Sequence, residues 1–193
     1  MAEDNEAILD RFREAGALLD GHFLLSSGRH SPVYLQCALV LQHPDLAEDL
    51  CGRLARPFAD ERVETVLAPA VGGIVVAHEV ARALGARALF AEREGGRMTL
   101  RRGFALRQGE RVLLVEDVVT TGGSLREVQD LAGEAGTDVV AVAALVDRTG
   151  GADPGFGMLL TALARIEAPT YAAEECPQCR QGLPLVKPGS RTF

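Results

Sequence analysis

The sequence has almost no lysine, because Lys187 is the only one and the other 19 of the 20 basic residues are arginines. It has no long apolar run either: the longest, residues 139–146, is far shorter than the ~20 residues that cross a bilayer, so no membrane partner is expected. Neither a Gly-Lys-Ser/Thr motif nor a Gly-x-Gly-x-x-Gly motif is present. Common nucleoside triphosphate hydrolysis and hydride transfer are therefore disfavoured.

Positive charge is also in short supply overall. There are 27 acidic against 20 basic residues, a net charge of -7, which disfavours nucleic acid and anionic membranes as partners. The N-terminus, MAEDNEAILD, is acidic where a secretory signal would be basic. A cytoplasmic location without disulfides is therefore expected.

Cysteine and histidine are few, with four of each. Cys37 and Cys51 are expected to be single buried thiols. Cys176 and Cys179 form a C-x-x-C pair, which is half of a tetrahedral zinc site, and no second pair supplies the rest. The histidines would complete it only if distant segments fold together or across a dimer: His22, His30, His43 and His78. A plain turn in a proline-rich tail is the favoured interpretation, and a metal site is the alternative.

The apolar pattern predicts an α/β fold. Helical spacing occurs at residues 5–19, with Gly21 as a stop, and at 44–59, with a strand, loop and strand between them at 22–36. Short apolar strands then alternate with helices: strands at 63–68, 86–91, 111–115 and 139–146, and helices at 74–84 and 124–135. This order predicts a mostly parallel central sheet flanked by helices, with ligands at the carboxyl ends of its strands.

The segment VLLVEDVVTTGGS, residues 112–124, carries the chemistry. A buried strand ends in Glu116 and Asp117, and a Thr-Thr-Gly-Gly-Ser loop then opens a helix. Backbone N–H groups and hydroxyls at such a helix N-terminus suit a phosphate, whereas carboxylates repel phosphate and suit ribose hydroxyls. Either half alone has an ordinary structural explanation, as a Gly-Gly turn or as solvent-exposed acids. Together they indicate a sugar phosphate.

This string resembles the signature of the type I phosphoribosyltransferases, which bind 5-phosphoribosyl 1-diphosphate with Mg²⁺ and join its anomeric carbon to a nitrogenous base. The resemblance implies that Glu116 and Asp117 contact the ribose hydroxyls. It also implies that Mg²⁺ is held mainly through the substrate, with Glu116 and Asp117 as candidate protein ligands. The 5-phosphate would be held by Val118, Val119, Thr120, Thr121, Gly122, Gly123 and Ser124. A short loop after the first core strand would meet the diphosphate: Ala70, Val71, Gly72 and Gly73.

Other segments resemble the orotate phosphoribosyltransferases, a branch of that family. FLLSSGRHSPVY is similar to their N-terminal hood over the base, and Arg148 matches the position of a family arginine. The implied orotate-binding residues are Ser27, Tyr34, Leu35, Thr120 and Arg148. A guanidinium can grip the orotate carboxylate in two places, although Arg148 alone could equally form a surface ion pair with Asp147 or Asp153.

The implied organisation is one domain over residues 1–193. It comprises an N-terminal helix and hood at 1–40, a core at 60–150, a β-hairpin lid at 92–111 and an extended tail at 169–193. A homodimer is implied as well, because in this family the lid commonly completes the site of a neighbouring subunit. The tail resembles the C-terminus of one bacterial group of orotate enzymes.

The sequence departs from the orotate branch where lysines are usual. Ser26 stands at the hood lysine, and the lid has six arginines and three glutamates but no lysine or histidine. Arg93 and Arg97, which flank the flexible Gly95 and Gly96, are the favoured replacements that meet the leaving diphosphate. The alternative is a solvated hairpin with ordinary surface arginines.

The expected activity is Mg²⁺-dependent transfer of the 5-phosphoribosyl group to orotate in pyrimidine biosynthesis, without a protein nucleophile. Glu116, Asp117, Arg93 and Arg97 are the expected catalytic residues, acting through electrostatics and positioning. A purine phosphoribosyltransferase is the nearest alternative. A regulatory protein that senses the sugar diphosphate without turnover is the alternative from another functional class.

Overall fold

The computed structural model describes residues 2–25 and 27–188, with side chains from Asn5 onward. Ser26 and the last five residues of the predicted tail lie outside the described residues. The strands are β1 (Leu18–Leu24), β2 (His30–Leu35), β3 (Thr65–Pro69), β4 (Arg87–Glu94), β5 (Arg97–Leu100), β6 (Arg111–Val119), β7 (Asp138–Asp147) and β8 (Leu160–Arg165). The helices are α1 (Ala2–Glu14), α2 (Ala38–Leu41), α3 (Pro44–Ala55), α4 (Gly73–Leu84), α5 (Gly123–Glu134) and α6 (Pro177–Arg180), with 3-10 turns at Arg56–Phe58 and Ala173–Glu175.

The central sheet has six strands in the order β5-β4-β3-β6-β7-β8. All neighbours are parallel except β4 and β5, which form an antiparallel hairpin at one edge. A separate two-stranded sheet pairs β1 with β2. No helix in the described ranges is long and apolar enough to span a membrane. The predicted α/β class, with a mostly parallel sheet flanked by helices, is confirmed.

The core lies on both faces of the central sheet because successive strand residues point to opposite sides. In β6, Leu113 and Val115 pack with the apolar faces of α1, α3 and α4. Their neighbours Val112 and Leu114 pack instead with α5. Burial on both faces explains why β6 and β7 read as continuous apolar runs in the sequence.

The first predicted helix is too long. It was expected to reach residue 19, but α1 ends at Glu14 and Gly16 adopts a left-handed φ of 66°. Leu18 is 3% exposed and Leu19 is 41% exposed, an alternation that belongs to a strand rather than to a helix. Gly21 is accordingly inside β1 instead of stopping a helix.

Three further differences concern a helix end, an additional strand and the tail. The helix predicted at 44–59 is α3, which ends at Ala55 before a 3-10 turn that contains Pro57. Strand β8, which has no sequence prediction, pairs with β7 at the sheet edge. The predicted extended tail contains two short helical turns, the 3-10 turn at Ala173–Glu175 and α6.

Candidate active site at the carboxyl end of the sheet

Two acidic side chains occupy the end of β6, the central strand. Glu116 is 9% exposed and Asp117 is half-buried. Burial raises the pKa of Glu116 to about 9, and the charge of Asp117 and a hydrogen bond with it act in the same direction. Glu116 therefore holds a proton at neutral pH in the free protein. Asp117 Oδ1 accepts a hydrogen bond of 2.9 Å from the Val118 N–H, which fixes its orientation.

The predicted phosphate loop follows directly. Gly122 has a φ of 75° and precedes α5, whose first N–H groups have no carbonyl partner within the helix. A cavity of about 80 Å³ is lined by Glu116, Val118, Val119, Thr120, Thr121, Gly122, Gly123, Ser124 and Leu125. Val119 is 1% exposed, so it offers a ligand its backbone rather than its side chain. The helix N-terminus and the hydroxyls around this cavity suit a phosphate.

The loop after β3 touches the acidic pair. A Cβ atom on Gly72 would lie 2.6 Å from Asp117 Oδ2, and one on Gly73 would lie 3.3 Å from Glu116 Oε1. Glycine at 72 is what allows the loop and the Asp117 carboxylate to approach, whereas a Cβ on Gly73 would first meet Ala68 Cβ, at 2.7 Å. The structure thus brings together two segments that are separated by more than forty residues and that the family resemblance assigned to one substrate. Val71 is 82% exposed beside them, and its peptide bond with Ala70 is cis.

Arg148 follows β7 beside the phosphate loop. Its backbone N–H donates to the Val119 carbonyl at 2.8 Å. Its side chain is half-buried, and among the described residues its Nε is the one buried side-chain nitrogen or oxygen without a hydrogen-bond partner. The alternative ion pairs are not formed, since Asp147 pairs with Arg165 and Asp153 accepts from the Gly155 N–H. An unpaired buried donor is costly unless a ligand satisfies it.

The sequence did not indicate that Cys37 lies next to the acidic pair. Its thiol follows β2 and lies 4.0 Å from the Asp117 carbonyl oxygen. Burial raises the pKa of Cys37 well above its usual value, and the charge of Asp117 adds to this effect. The nearby charge of Arg148 acts in the opposite direction. Cys37 was correctly expected to be a single buried thiol, but its sequence neighbours carry no sign of contact with the acidic pair.

A second missed residue, Arg126, stabilises the phosphate loop. Its guanidinium donates to the carbonyl oxygens of Thr121, at 2.8 Å, and Pro154. Gly122 packs so closely against Pro154 and Phe156 that a Cβ there would lie 2.9 Å from each. The only sequence signal was the position of Arg126 in the first turn of the helix that follows the loop.

The hood residues have different environments. Leu35 is buried in the main core, and Tyr34 stacks at a tilt on Phe23 across the β1–β2 hairpin. Ser27 is exposed in the turn between the strands. Within the described chain, neither Ser27 nor Tyr34 makes a side-chain hydrogen bond to Asp117, Arg148 or the phosphate loop. Their predicted contact with a base stays a prediction.

The predicted lid forms a hairpin whose tip is Gly95 and Gly96, both with positive φ. Arg93 makes a two-point ion pair with Glu127 on α5, at 2.8 and 2.9 Å. Arg97 is exposed and has no side-chain hydrogen bond or ion pair within the described ranges. The other arginines of the hairpin are paired, Arg101 with Glu94 and Arg102 with Glu92. The hairpin therefore rests on α5 and leaves Arg97 as its unpaired cation.

A larger cavity of about 670 Å³ lies elsewhere. It is lined by Asp147, by the loop at 149–160 and by residues 165–167, and it contains none of the predicted site residues. Its wall includes Pro154, which also supports the phosphate loop. The acidic pair and the predicted phosphate loop line the smaller cavity or its edge rather than this one.

Comparison with known proteins agrees with this geometry. Residues 40–155 match the model of the phosphoribosyl transferase domain. The chain is 56% identical to the orotate phosphoribosyltransferase of Pelotomaculum thermopropionicum, over 96% of this chain and 97% of that protein, and 52% identical to that of Caldicellulosiruptor bescii, over 97% and 98%. Among solved structures, the orotate phosphoribosyltransferase of Aeropyrum pernix superposes with a TM-score of 0.69 at 28% identity, covering 82% of this chain and 93% of that one. The chain belongs to the orotate phosphoribosyltransferase family.

Proposed function

We propose that this protein transfers the 5-phosphoribosyl group from 5-phosphoribosyl 1-diphosphate to N1 of orotate, releasing diphosphate and orotidine 5'-phosphate in pyrimidine biosynthesis. The single observation that carries the choice of base is the unpartnered buried Nε of Arg148 next to the phosphate loop. Orotate has a carboxylate that this guanidinium would bind, whereas adenine and hypoxanthine have none. The near full-length similarity to orotate enzymes supports the same choice.

The sugar phosphate is assigned to the 116–124 segment. The 5-phosphate occupies the cavity at the start of α5, where N–H groups and the hydroxyls of Thr120, Thr121 and Ser124 surround it. Asp117 accepts hydrogen bonds from the ribose hydroxyls. Glu116, protonated when the site is free, can donate one. Gly72 and Gly73 present backbone to the diphosphate; a side chain at 72 would displace Asp117, and one at 73 would collide with Ala68.

The reaction needs no nucleophile from the protein. The bond between the anomeric carbon and the diphosphate oxygen breaks with its electron pair leaving on the diphosphate. N1 of orotate supplies the pair for the new bond and gives up its proton to solvent or to the departing diphosphate. Positive charge therefore develops on the ribose ring and negative charge on the leaving group. Asp117 stabilises the former, and Arg93 and Arg97 are assigned to the latter once the hairpin closes. Closure also excludes water from the cationic ring.

Mg²⁺ fits the donor set at the end of β6, because hard cations favour carboxylate oxygens. Asp117 is the better placed of the two acids, since Glu116 is buried and protonated when free. With so few protein oxygens, Mg²⁺ would be held mainly through the substrate. When bound, it would neutralise charge on the diphosphate.

Two further assignments follow family membership. The protein is assigned to the cytoplasm. It works as a homodimer in which the hairpin of one subunit reaches the site of the other. The exposed, unpaired Arg97 at the hairpin tip is suited to that reach.

The decisive experiment measures diphosphate release from 5-phosphoribosyl 1-diphosphate with orotate, adenine or hypoxanthine as acceptor, each with and without Mg²⁺. We expect release only with orotate and Mg²⁺ together. Turnover with a purine would replace the proposed base with the nearest alternative. Tight binding of the sugar diphosphate without turnover of any base would indicate a regulatory sensor instead.

A further inference from the structure

Four potential metal ligands meet at the junction of the β1–β2 hairpin and the C-terminal tail. They are His22 in β1, His30 in β2, and Cys176 and Cys179 of the C-x-x-C motif. Their ligand atoms all lie within 4.8 Å of one another. The C-x-x-C motif in the tail is half of a site, and the two histidines of the hairpin supply the other half where the tail packs against them.

We propose that these four side chains bind a structural Zn²⁺ ion. The two histidine nitrogens, His22 Nε2 and His30 Nδ1, are 3.0 Å apart. Cys176 Sγ lies 3.4 Å from His22 Nε2, and Cys179 Sγ lies 3.3 Å from His30 Nδ1 and 3.6 Å from His22 Nε2. A Zn²⁺ ion with ordinary Zn–N and Zn–S bonds requires tetrahedral edges of roughly 3.3–3.8 Å between such atoms. The three nitrogen–sulfur distances fall within this range, the two nitrogens are slightly closer than it, and no pair of ligand atoms is more than 4.8 Å apart, so small side-chain adjustments would form a Cys₂His₂ site.

The orientation of His22 supports a metal rather than a chance cluster. Its Nδ1 lies 2.9 Å from the carbonyl oxygen of Leu183, so this nitrogen carries the proton and donates. Nε2 then presents its lone pair to the other three ligands. A backbone carbonyl that fixes the tautomer of a histidine in this way is the usual outer partner of a metal ligand.

Burial and donor type determine the class of ion. His22, His30 and Cys176 are buried, while Cys179 is exposed and leaves a path by which an ion can enter. Two sulfurs and two imidazoles favour Zn²⁺ over Mg²⁺, which prefers oxygen. Four protein ligands also fill a tetrahedral shell and leave no open position for substrate, so the ion is structural.

The position of the site shows what it would stabilise. The tail pairs with β2 through reciprocal backbone hydrogen bonds of 2.9 Å between His30 and Tyr171. It also contacts β1, where Leu24 donates to the Val186 carbonyl and Val186 donates to the His22 carbonyl, both at 2.8 Å. Zn²⁺ would cross-link both strands to the tail and close a loop of more than 140 residues. It thereby holds the hairpin that carries the proposed orotate-binding hood.

Metal content of the full-length protein, expressed with zinc in the medium, is the direct test. We expect about one equivalent of Zn²⁺ per chain, lost in Cys176→Ser/Cys179→Ser and in His22→Asn. Two matched controls keep it: Cys51→Ala removes a buried cysteine of α3, and His78→Asn removes an exposed histidine of α4. Wild-type protein without stoichiometric Zn²⁺, or double-cysteine variants that retain it, would overturn the proposal.

A second measurement uses the wild-type chain alone, so it holds even if the variants do not fold. Replacement of the bound ion by Co²⁺ is expected to produce the visible bands of tetrahedral Co²⁺ and thiolate charge transfer in the near ultraviolet. Titration with an organomercurial should release the Zn²⁺ as Cys176 and Cys179 react, and chelation should lower the melting temperature by about 10 °C or more. A Cys176–Cys179 disulfide, or two thiols that react without releasing metal, would show that the cluster is not a zinc site.

Discussion

Gly72 lies so close to Asp117 that a methyl group on its α-carbon would come within 2.6 Å of Asp117 Oδ2. The φ of Gly72 is -58°, so its backbone accepts alanine, and the contact with Asp117 opposes it. Gly72→Ala should turn the Asp117 carboxylate away from the ribose. We expect at least a tenfold fall in kcat/KM for 5-phosphoribosyl 1-diphosphate, with a melting temperature within about 3 °C of the wild type. Steady-state kinetics and thermal unfolding would measure both.

Gly52 provides the matched control for that change. It lies in α3, and a Cβ there would meet nothing within 4 Å. Gly52→Ala should leave kcat/KM unchanged and stabilise the fold by about 0.5–1 kcal/mol, because alanine loses less backbone entropy in a helix. Equal kinetics for the two variants would remove the role given to the contact between Gly72 and Asp117.

The two acids of the pair should respond differently to amide substitution. Glu116 is protonated in the free site, with a pKa of about 9, so Glu116→Gln preserves its charge state and much of its hydrogen bonding. Asp117→Asn removes the carboxylate that faces the ribose, yet its amide oxygen can still accept from the Val118 N–H and maintain the loop. We expect kcat to fall about 100-fold or more in Asp117→Asn and by a smaller factor in Glu116→Gln. Larger loss in Glu116→Gln would assign the essential charge to Glu116 instead.

Arg148→Ala should separate the two substrates. The Nε of Arg148 has no partner among the described residues, so its removal breaks no side-chain hydrogen bond at that atom and should not destabilise the fold. We expect the KM for orotate to rise roughly 10- to 100-fold, as for a lost charge-assisted contact, while the KM for 5-phosphoribosyl 1-diphosphate changes less than about twofold. Arg53→Ala, which alters a surface pair on α3, serves as the control. Parallel increases in both KM values would contradict a base-binding role.

The order of strands and helices was predictable because burial on both faces makes each core strand a continuous apolar run. The 112–124 string likewise identified its loop, since strand, acids and glycines are adjacent in sequence. The first helix was wrong at its end because Leu18 and Leu19 suit a helical stripe and a strand equally. Gly16, with its left-handed φ, marks the change from helix to strand, but Gly21 is the more obvious helix stop in the sequence.

Contacts between distant segments could not be predicted. His22 and His30 were named as possible partners of Cys176 and Cys179, but only the pairing of Tyr171 and Val186 with the hairpin brings the four together. Arg93 was chosen for its place beside the hairpin glycines, and its ion pair with Glu127 depends on how the hairpin packs on α5. Cys37 reaches Asp117 through the tertiary fold alone.

The pairing of Arg93 with Glu127 leads to a prediction for hairpin closure. This ion pair is exposed, so solvent screens it and Arg93 can exchange Glu127 for the diphosphate. Arg93→Ala and Arg97→Ala should each lower kcat about tenfold or more, because both are assigned to the leaving group. Glu127→Gln frees Arg93 and should keep or raise kcat/KM for 5-phosphoribosyl 1-diphosphate.

Arg101→Ala removes another arginine of the same hairpin, paired with Glu94, and serves as the control that should retain activity. Stopped-flow fluorescence with a label at the hairpin tip would test whether hairpin closure slows in Arg93→Ala and Arg97→Ala. If all three arginine variants retained activity, the hairpin would be an ordinary solvated hairpin.

Glu110 is a buried carboxylate whose ionisation is expected to make the free energy of unfolding depend on pH. Its side chain has no exposed surface and accepts hydrogen bonds from Thr65 Oγ1 at 2.6 Å, Arg87 Nη2 at 2.5 Å and the Arg107 N–H at 2.7 Å. Burial alone would raise its pKa, but these hydrogen bonds outweigh burial and lower the pKa to about 2. The group joins β3, β4 and the start of β6 at the amino end of the sheet, whereas the acidic pair lies at the opposite end of β6.

Because the folded pKa lies below the unfolded value of 4.5, this stabilisation is complete above pH 4.5 and is lost as the pH falls toward 2. The shift corresponds to about 3 kcal/mol. Denaturant unfolding from pH 7 to pH 2.5 should show the wild type losing stability over that range. Glu110→Gln should be less stable by about 2–3 kcal/mol at pH 7 and flatter below pH 4.5. Glu134→Gln, at an exposed position of α5, should follow the wild-type curve, and an unchanged slope in Glu110→Gln would assign the acid sensitivity to other carboxylates.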